Sequence, residues 1–354
     1  MADAPADADI ERALAAFPAL TRPSFRPLGR GLINHTFAVE SGGARYVLQR
    51  LSPIFSPAVN RNIRAVTAQL RRAGLVTPVL LDSADGRPWV ELGAAGCWRL
   101  MTWVDGASFD AVQSPEQARS AGELVARFHA ALADLDHRFE GLRARVHDLD
   151  RHVATLRAAV ASHPGHRLHA AVAELARGIF ARVERLSRCA EDVVVIGHGD
   201  LKLNNIRFAG AEPPERDRAI SLIDLDTVAP MPLGFELGDA WRSWCNPGGE
   251  DAGFAPEFDR TVFAASLSGY RDGLGRPLTP DERRDLLDGV EQISIELAAR
   301  FAADALAESY FGWDPSRHPG RGEHNLHRAR VQMGLHDSVR KTRAARAELL
   351  EVRL

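Results

Sequence analysis

The chain contains little cysteine and no long apolar run. Cysteine occurs only at positions 97, 189 and 245 of the 354 residues, which is too little and too scattered for a disulfide framework or a thiolate metal site. No uncharged apolar stretch reaches the roughly 20 residues of a membrane span, and residues 1–7 lack the basic and apolar regions of a signal peptide. These absences predict a cytoplasmic protein with no membrane partner.

An excess of one charge sign is lacking as well. Lys and Arg number 44 and Asp and Glu number 47, so the net charge at pH 7 is −3. The two signs are interspersed, without the basic stripe that binds nucleic acid, so no nucleic-acid partner is expected. With 45% apolar residues, a chain of this length buries roughly three quarters of its unfolded surface, and we expect a globular protein with two lobes.

The N-terminal part of the chain predicts a sheet. After a helix at 10–16, the apolar pattern favours strands at 37–40, 45–48, 79–81, 88–92 and 98–104, and a helix at 57–72. Ser41-Gly42-Gly43, between the first two strands, is typical of a hairpin turn. We therefore expect a five-stranded antiparallel sheet with one helix.

Helical patterns dominate from Pro115 onward. They predict helices at 115–133, 148–161, 168–186, 235–245, 256–274, 280–310 and 324–349, with short strands at 193–196, 205–208 and 220–223 among them. The composition changes near Asp105-Gly106. The chain is thus expected to be an α+β protein with a small N-terminal sheet lobe, residues 1–104, and a larger helical C-terminal lobe, residues 105–354.

The most informative segment reads His-Gly-Asp-Leu-Lys-Leu-Asn-Asn at residues 198–205. It follows one predicted strand, and a later strand ends in Ile223-Asp224, so Asp200, Asn205 and Asp224 are expected to meet. Phosphoryl transfer needs a carboxylate that accepts the hydroxyl proton of the acceptor, and an amide oxygen and a second carboxylate that hold Mg²⁺ on the nucleotide phosphates. These three residues supply that set, which indicates a kinase acting on a small molecule.

Two other interpretations use the same residues. They are either polar loop residues between core strands or part of a metal-dependent hydrolase. The hydrolase requires a His, Asp or Glu cluster at metal-ligand spacing elsewhere in the sequence, and the sequence shows none. The second carboxylate, at the end of its own apolar run, favours phosphoryl transfer over the loop interpretation.

The sequence resembles the aminoglycoside phosphotransferase and choline kinase-like family of small-molecule kinases. The family signature is His-Gly-Asp, an Asn five residues after the Asp, and a downstream Ile-Asp pair. Within the family, Asp-Leu-Lys-Leu-Asn-Asn at 200–205 and Ile-Asp-Leu-Asp-Thr-Val at 223–228 are most similar to the N-acetylhexosamine 1-kinase group. Further matches to that group lie at 31–36, 46–50, 237–240 and 323–330, so the resemblance covers nearly the whole chain.

The resemblance implies a bilobal protein-kinase-like fold that binds ATP and Mg²⁺. The loop at 29–34, with Gly31 and Asn34, is expected to cover the phosphates, and Met101 and Trp103 to lie against the adenine. The family's phosphate-contacting cation on the third strand falls at Gln49 or Arg50. We favour Gln49 pointing into the cleft. Asn62 of the following helix is expected either to hold the Gln49 side chain or to be a surface polar residue.

On the catalytic side, the resemblance and the motif assign Asp200 as the base or the residue that orients the acceptor hydroxyl. Asn205 and Asp224 are expected to bind the metal. Lys202 either neutralises the transferred phosphoryl group or is a solvated loop cation, and the sequence does not decide between these roles. His198 is expected to brace the loop through hydrogen bonds.

The acceptor site is expected in an aromatic and polar loop between two long helices. Aromatic faces and directional polar groups suit a sugar, and the candidates are Tyr310, Trp313, His324 and Arg328. The resemblance implies transfer of the ATP γ-phosphate to a sugar or amino-sugar hydroxyl, with the anomeric hydroxyl of an N-acetylhexosamine as the leading candidate. An aminoglycoside or choline-like amino alcohol is an alternative acceptor. A nucleotide-binding pseudokinase is a further alternative, although such a protein is expected to have lost at least one site residue.

Overall fold

The computed structural model describes residues 5–29, 34–142, 147–190, 192–249, 251 and 256–353. Within these ranges no helix is both long enough and apolar enough to cross a membrane. All three cysteines are free; Cys189 and Cys245 are buried and Cys97 is partly exposed.

The N-terminal part forms one antiparallel sheet of five strands in the order β1-β2-β3-β5-β4. The predicted hairpin is confirmed, because Gly42 and Gly43 join β2 to β3 with φ values of +59° and +79°, where glycine has no steric penalty. The strands are β1 (Ser24–Pro27), β2 (His35–Ser41), β3 (Ala44–Leu51), β4 (Val90–Glu91) and β5 (Cys97–Thr102).

One of the five predicted strands is wrong. Residues 79–81 form only an isolated bridge, between Leu80 and Met101, and the fifth strand is instead β1, Ser24–Pro27. The sequence of β1 is Ser-Phe-Arg-Pro, in which one apolar residue and a proline give no strand pattern. Pairing with β2 creates this strand, so its own sequence did not reveal it.

The helices pack around the sheet and around one another. Their bounds agree with the predictions within a few residues except at the C-terminus, where the helix predicted at 324–349 divides at Thr342. They are α1 (Asp7–Ala15), α2 (Val59–Arg72), α3 (Pro115–Leu132), α4 (Leu149–Ser162), α5 (His169–Val183), α6 (Leu233–Trp244), α7 (Arg260–Leu274), α8 (Pro280–Ala307), α9 (Arg321–Lys341) and α10 (Arg343–Leu350).

Helix α8 is the centre of the helical part, and almost all of its residues from Asp285 to Leu306 are buried. It lies against α4, α5, α6 and α9. At the crossing with α6 the backbones approach so closely that a Cβ added to Gly289 would lie 2.0 Å from the carbonyl oxygen of Gly234. This close crossing fixes α6 in place, and α6 follows the segments that carry the site.

Four short strands hold the site segments. β6 (Val194–Gly197) pairs with β9 (Ala229–Pro232), and β7 (Ile206–Phe208) pairs with β8 (Ala219–Leu222), both antiparallel. β6, β7 and β8 were predicted. β9 was not, because its sequence Ala-Pro-Met-Pro contains two prolines, which argue against a strand.

Candidate active site

The structure brings Asp200, Asn205 and Asp224 to one edge of the β7–β8 pair. Asn205 directly precedes β7 and Asp224 lies just beyond β8. Because β7 and β8 are antiparallel with Ile206 opposite Leu222, the start of one strand meets the end of the other. The backbone N–H of Ile223 also donates to the Asn205 carbonyl at 2.9 Å. The predicted meeting of the three residues follows from this pairing.

Asp200 is held by two neighbours on one side of its carboxylate. Lys202 Nζ lies 2.9 Å from Asp200 Oδ2. Asn205 Nδ2 donates to the Asp200 backbone carbonyl at 2.8 Å and to Oδ2 at 3.2 Å. Among the described residues these contacts engage Oδ2, so Oδ1 is the oxygen that an incoming hydroxyl can reach.

Asp224 has a left-handed backbone conformation with φ +64° and is exposed. Protein atoms still surround much of the side chain. This desolvation, together with the carboxylates of Asp226 and Asp200, raises the pKa of Asp224 to about 6. A cation bound here would relieve the crowding of negative charge. The carboxylate of Asp224 and the amide oxygen of Asn205, whose nitrogen faces Asp200, are donors that suit a hard divalent cation.

His198 braces the segment that carries Asp200. Its side chain is fully buried, and Nε2 donates to the backbone carbonyl of Ile223 at 2.8 Å. The Thr227 hydroxyl donates to the His198 carbonyl at 2.7 Å. His198 therefore ties the loop of Asp200 to the segment of Asp224, in the bracing role expected from the sequence.

Glu236, in the first turn of α6, anchors the same loop. Its two oxygens accept the backbone N–H groups of His198 at 2.7 Å and Gly199 at 2.9 Å. His129 Nε2 lies 3.4 Å from Oε1, and His129 Nδ1 lies 2.9 Å from the Tyr270 hydroxyl. Burial opposes ionisation of Glu236, but the contact with His129 outweighs it, and the pKa of Glu236 stays below its ordinary value.

On the sheet side, the Gln49 side chain points toward Arg99. Its Oε1 accepts from Arg99 Nε at 2.9 Å and Nη2 at 2.6 Å, and Arg99 in turn forms a buried ion pair with Asp226. Arg50, the next residue along β3, points to the opposite face, where it lies beside Gly96. Contact between Gln49 and a nucleotide stays a prediction.

The expected role of Asn62 is wrong. Its Nδ2 donates to the backbone carbonyl of Glu140 at 2.8 Å and its Oδ1 accepts the Glu140 N–H at 2.9 Å. Asn60, two residues earlier in α2, contacts the network instead, with its Oδ1 3.3 Å from Arg99 Nη1. A two-residue error along a helix rotates the side chain to a different face.

The other predicted nucleotide residues lie around this network. Asn34 is buried; its Nδ2 donates to Asp226 Oδ2 at 2.7 Å and its Oδ1 accepts from the backbone N–H of Ser52 at 2.8 Å. Met101 lies in β5, and Trp103 follows it with the Arg45 guanidinium 4.9 Å above its ring. Gly31 lies outside the described residues.

The four predicted acceptor residues differ in accessibility. Tyr310 is 50% exposed and His324 is fully buried, with Nε2 2.8 Å from Asp251 Oδ1 and Nδ1 accepting the Asp314 N–H at 3.1 Å. Arg328 Nε also donates to Asp251 Oδ1 at 2.8 Å. Trp313 is partly buried in the same loop. His324 and Arg328 thus share one carboxylate, and Tyr310 is the most open of the four.

A set of buried charged residues near Lys202 was not predicted as a substrate site. Asp239 in α6 lies 2.8 Å from Arg242. Burial opposes ionisation of Asp239, but Arg242, His147 and Lys202 keep its pKa below the ordinary value. His147 contacts Glu296 at 3.0 Å. Asp239 and Arg242 lie in α6, Glu296 lies in α8 and His147 precedes α4, so no local motif indicates the whole cluster.

A family model described as the phosphotransferase enzyme family matches residues 24–276. Among solved structures, a microcompartment-associated aminopropanol kinase is 17% identical, with 96% of this chain and 98% of that chain covered and a TM-score of 0.66. An aminoglycoside phosphotransferase from Alicyclobacillus acidocaldarius is 17% identical, with 96% of each chain covered and a TM-score of 0.60. An amicoumacin kinase in complex with AMP-PNP, Ca²⁺ and Ami is 13% identical, with 93% and 92% covered and a TM-score of 0.59. At these identities the likeness concerns the fold.

Proposed function

The chain belongs to the phosphotransferase enzyme family and is a small-molecule phosphotransferase acting on hydroxyl groups; from this premise we propose that ATP is the donor, Mg²⁺ the metal and a sugar or amino sugar the acceptor. The observation that supports this best is the meeting of Asp200, Asn205 and Asp224 at one edge of the β7–β8 pair. It supplies a base and metal ligands together.

In the proposed reaction, Asp200 Oδ1 accepts the proton of the acceptor hydroxyl. The acceptor oxygen forms a bond to the γ-phosphorus, the bond from that phosphorus to the β–γ bridging oxygen breaks, and ADP leaves. Lys202, 2.9 Å from Asp200, keeps the base oriented and places positive charge beside the transferred group. Asn205 and Asp224 would hold Mg²⁺, which neutralises charge on the phosphates when bound.

The charge pattern of the acceptor side favours a neutral acceptor. Asp239 is paired with Arg242 and Glu296 with His147. Asp251 is shared by His324 and Arg328. A cationic acceptor needs a carboxylate that the protein leaves uncompensated, whereas sugar hydroxyls bond well to such internally paired groups.

The form of the loop at 200–205 favours an N-acetylhexosamine with phosphorylation of its anomeric hydroxyl. Its Asp-Leu-Lys-Leu-Asn-Asn sequence and the Ile-Asp-Leu-Asp-Thr-Val segment at 223–228 resemble the corresponding segments of the hexosamine kinase group. Tyr310, Trp313, His324 and Arg328 are the proposed acceptor contacts, and the open ring of Tyr310 offers a face for stacking on a sugar.

An amino-alcohol or aminoglycoside acceptor is the second candidate. It is favoured by the structural neighbours, which include an aminopropanol kinase and an aminoglycoside phosphotransferase. A pseudokinase is disfavoured because the proposed base and metal ligands are all present and in mutual contact or close proximity.

An acceptor panel tests the proposal. The full-length protein is given ATP and Mg²⁺ with N-acetylhexosamines, hexoses, aminoglycosides, choline and small amino alcohols, and ADP release is measured against an Asp200→Asn control. We expect release with an N-acetylhexosamine, with ³¹P NMR locating the new phosphate on the anomeric carbon. Turnover of amino alcohols alone would support the second candidate, and no turnover with any acceptor would support the pseudokinase.

A further inference from the structure

Arg99, in β5, is one of the most deeply buried charged residues, with 1% of its surface exposed. Its Nε and Nη2 donate to Gln49 Oε1 at 2.9 and 2.6 Å. Nη1 forms the ion pair with Asp226 and lies 3.3 Å from Asn60 Oδ1. A charged guanidinium is thus held where β3, α2 and the segment after Asp224 meet.

This cation occupies an unusual place for a kinase-like sheet. In protein kinases the cation over the nucleotide phosphates is a lysine on the third strand, paired with a glutamate of the following helix. That pair cannot form here, because Gln49 occupies the inward position of β3 and the sequence of α2, Val-Asn-Arg-Asn-Ile-Arg-Ala-Val-Thr-Ala-Gln-Leu-Arg-Arg, contains no acid. Arg50 faces the other side of the strand.

We propose that Arg99 supplies, from β5, the positive charge that the nucleotide phosphates require, and that Gln49 and Asp226 hold it in position. Gln49 and Arg99 are direct partners across the β3–β5 ladder, so their side chains leave the same face of the sheet. Placing the cation on β5 instead of β3 therefore moves its backbone by one strand spacing, roughly 5 Å. The arginine side chain is longer than that of lysine and can span this distance. The proposal rests on ATP as the donor.

The hydrogen-bonding capacity of Arg99 leaves room for a phosphate. A guanidinium has five N–H donors. Nε and Nη2 each use one N–H on Gln49, and Nη1 uses one on Asn60. Asp226 contacts Nη1 as an ion pair. The hydrogen bonds among the described residues thus account for three of the five, and in this proposal a remaining N–H of Nη1 or Nη2 donates to a phosphate oxygen.

Asp226 connects this cation to both lobes. One of its oxygens pairs with Arg99, and the other accepts from Asn34 at the end of the predicted phosphate-covering loop. Asp226 follows the proposed metal ligand Asp224 by two residues. Arg99 therefore acts on the edge where the metal and phosphates are proposed to bind.

Binding of ADP and of adenosine distinguishes this role from a structural one. Both are titrated into full-length protein labelled with ¹⁵N-arginine and followed by NMR. Arg99→Gln is expected to weaken ADP binding about 10- to 100-fold, since charge-assisted hydrogen bonds contribute that range, and to leave adenosine binding unchanged. Gln49→Lys combined with Arg99→Gln, which returns the cation to β3, is expected to recover part of the loss.

Arg64→Gln is the matched control, because it removes a partly exposed α2 arginine that pairs with Asp82. Unchanged ADP binding in Arg99→Gln, equal weakening of ADP and adenosine, or a double variant no tighter than Arg99→Gln would each overturn the proposal. If the wild-type protein binds neither ADP nor adenosine, the proposed use of ATP is itself refuted.

If Arg99→Gln does not fold, the wild-type spectrum decides. The Nε–H signal of Arg99 is identified by its absence from the spectrum of Arg99→Lys. In the wild-type protein this signal must shift on addition of ADP and must not shift on addition of adenosine. An Nε–H signal that does not shift on addition of ADP would overturn the proposal.

Discussion

Asn205 donates through a single amide nitrogen to two oxygens of Asp200, the backbone carbonyl at 2.8 Å and Oδ2 at 3.2 Å. The bond pattern orients both ends of the Asn205 side chain at once. Because the nitrogen is directed at the proposed base, the amide oxygen is left for the proposed metal. The two residues therefore act as one unit, and their separate roles lead to separate predictions.

Asp200→Asn should abolish turnover while nucleotide binding survives. An amide cannot accept the hydroxyl proton, and general-base catalysis contributes about 10²- to 10⁴-fold. The rate of ADP release with the best acceptor of the panel gives the loss, and an ADP titration shows that the nucleotide site is intact. Activity above about a tenth of the wild-type value would exclude Asp200 as the base.

Asp224→Asn should lower the rate by roughly two orders of magnitude or more, since a metal ion stabilises transition-state charge by several kcal/mol. A carboxamide is a weaker ligand than a carboxylate, so a Mg²⁺ titration should show a higher concentration at half-maximal rate. Asp134→Asn, at an exposed position after α3, is the control. An unchanged Mg²⁺ requirement in Asp224→Asn would remove this residue from the metal site.

Glu236→Gln should loosen the catalytic loop. Both Glu236 oxygens accept backbone N–H groups, from His198 and Gly199, and a glutamine presents an N–H donor to one of them. An unsatisfied buried donor costs about 1–3 kcal/mol, so the urea midpoint and the turnover rate should both fall. Glu257→Gln, at an exposed position, should change neither quantity. A stable and fully active Glu236→Gln variant would refute the anchoring role.

Gly269→Ala should destabilise the crossing of α3 and α7. A Cβ at this position would lie 1.8 Å from the backbone carbonyl oxygen of Arg119, so the helices must separate, and overpacking of this kind costs about 1–3 kcal/mol. Gly165→Ala is the matched control, because nothing lies within 4 Å of its added Cβ. Equal urea midpoints for the two variants would show that the crossing is not tight.

Local signals made the catalytic edge and the hairpin predictable. Asp200, Asn205 and Asp224 are close in sequence to strands with clear apolar runs, and Gly42-Gly43 marks its own turn. The proposed role of Arg99 was not predictable from the sequence. It depends on the pairing of Arg99 with Gln49 on the neighbouring strand β3 and on contact with Asp226, which is far along the chain. β1 and β9 were missed for a similar reason, because pairing with a neighbour rather than their own composition makes them strands.

The acceptor side shows the same limit. Tyr310 and Trp313 were identified from a local aromatic segment, whereas Asp239, His147 and Glu296 come from separate parts of the chain and meet only through the packing of α6 and α8. Their charges are paired with one another or with neighbouring arginines. Pairing of this kind is a property of the folded structure and leaves no pattern in the sequence.

Transfer of the γ-phosphoryl group from ATP to an acceptor hydroxyl is the central claim, and isotope transfer tests it most directly. ATP carrying ¹⁸O in the non-bridging oxygens of its γ-phosphate is incubated with the protein, Mg²⁺ and N-acetylhexosamine, and the products are examined by mass spectrometry. The expected products are ADP and a sugar phosphate that carries all of the label and is joined through the unlabelled oxygen of the sugar. Unlabelled sugar phosphate, AMP as the co-product, or labelled inorganic phosphate alone would contradict it.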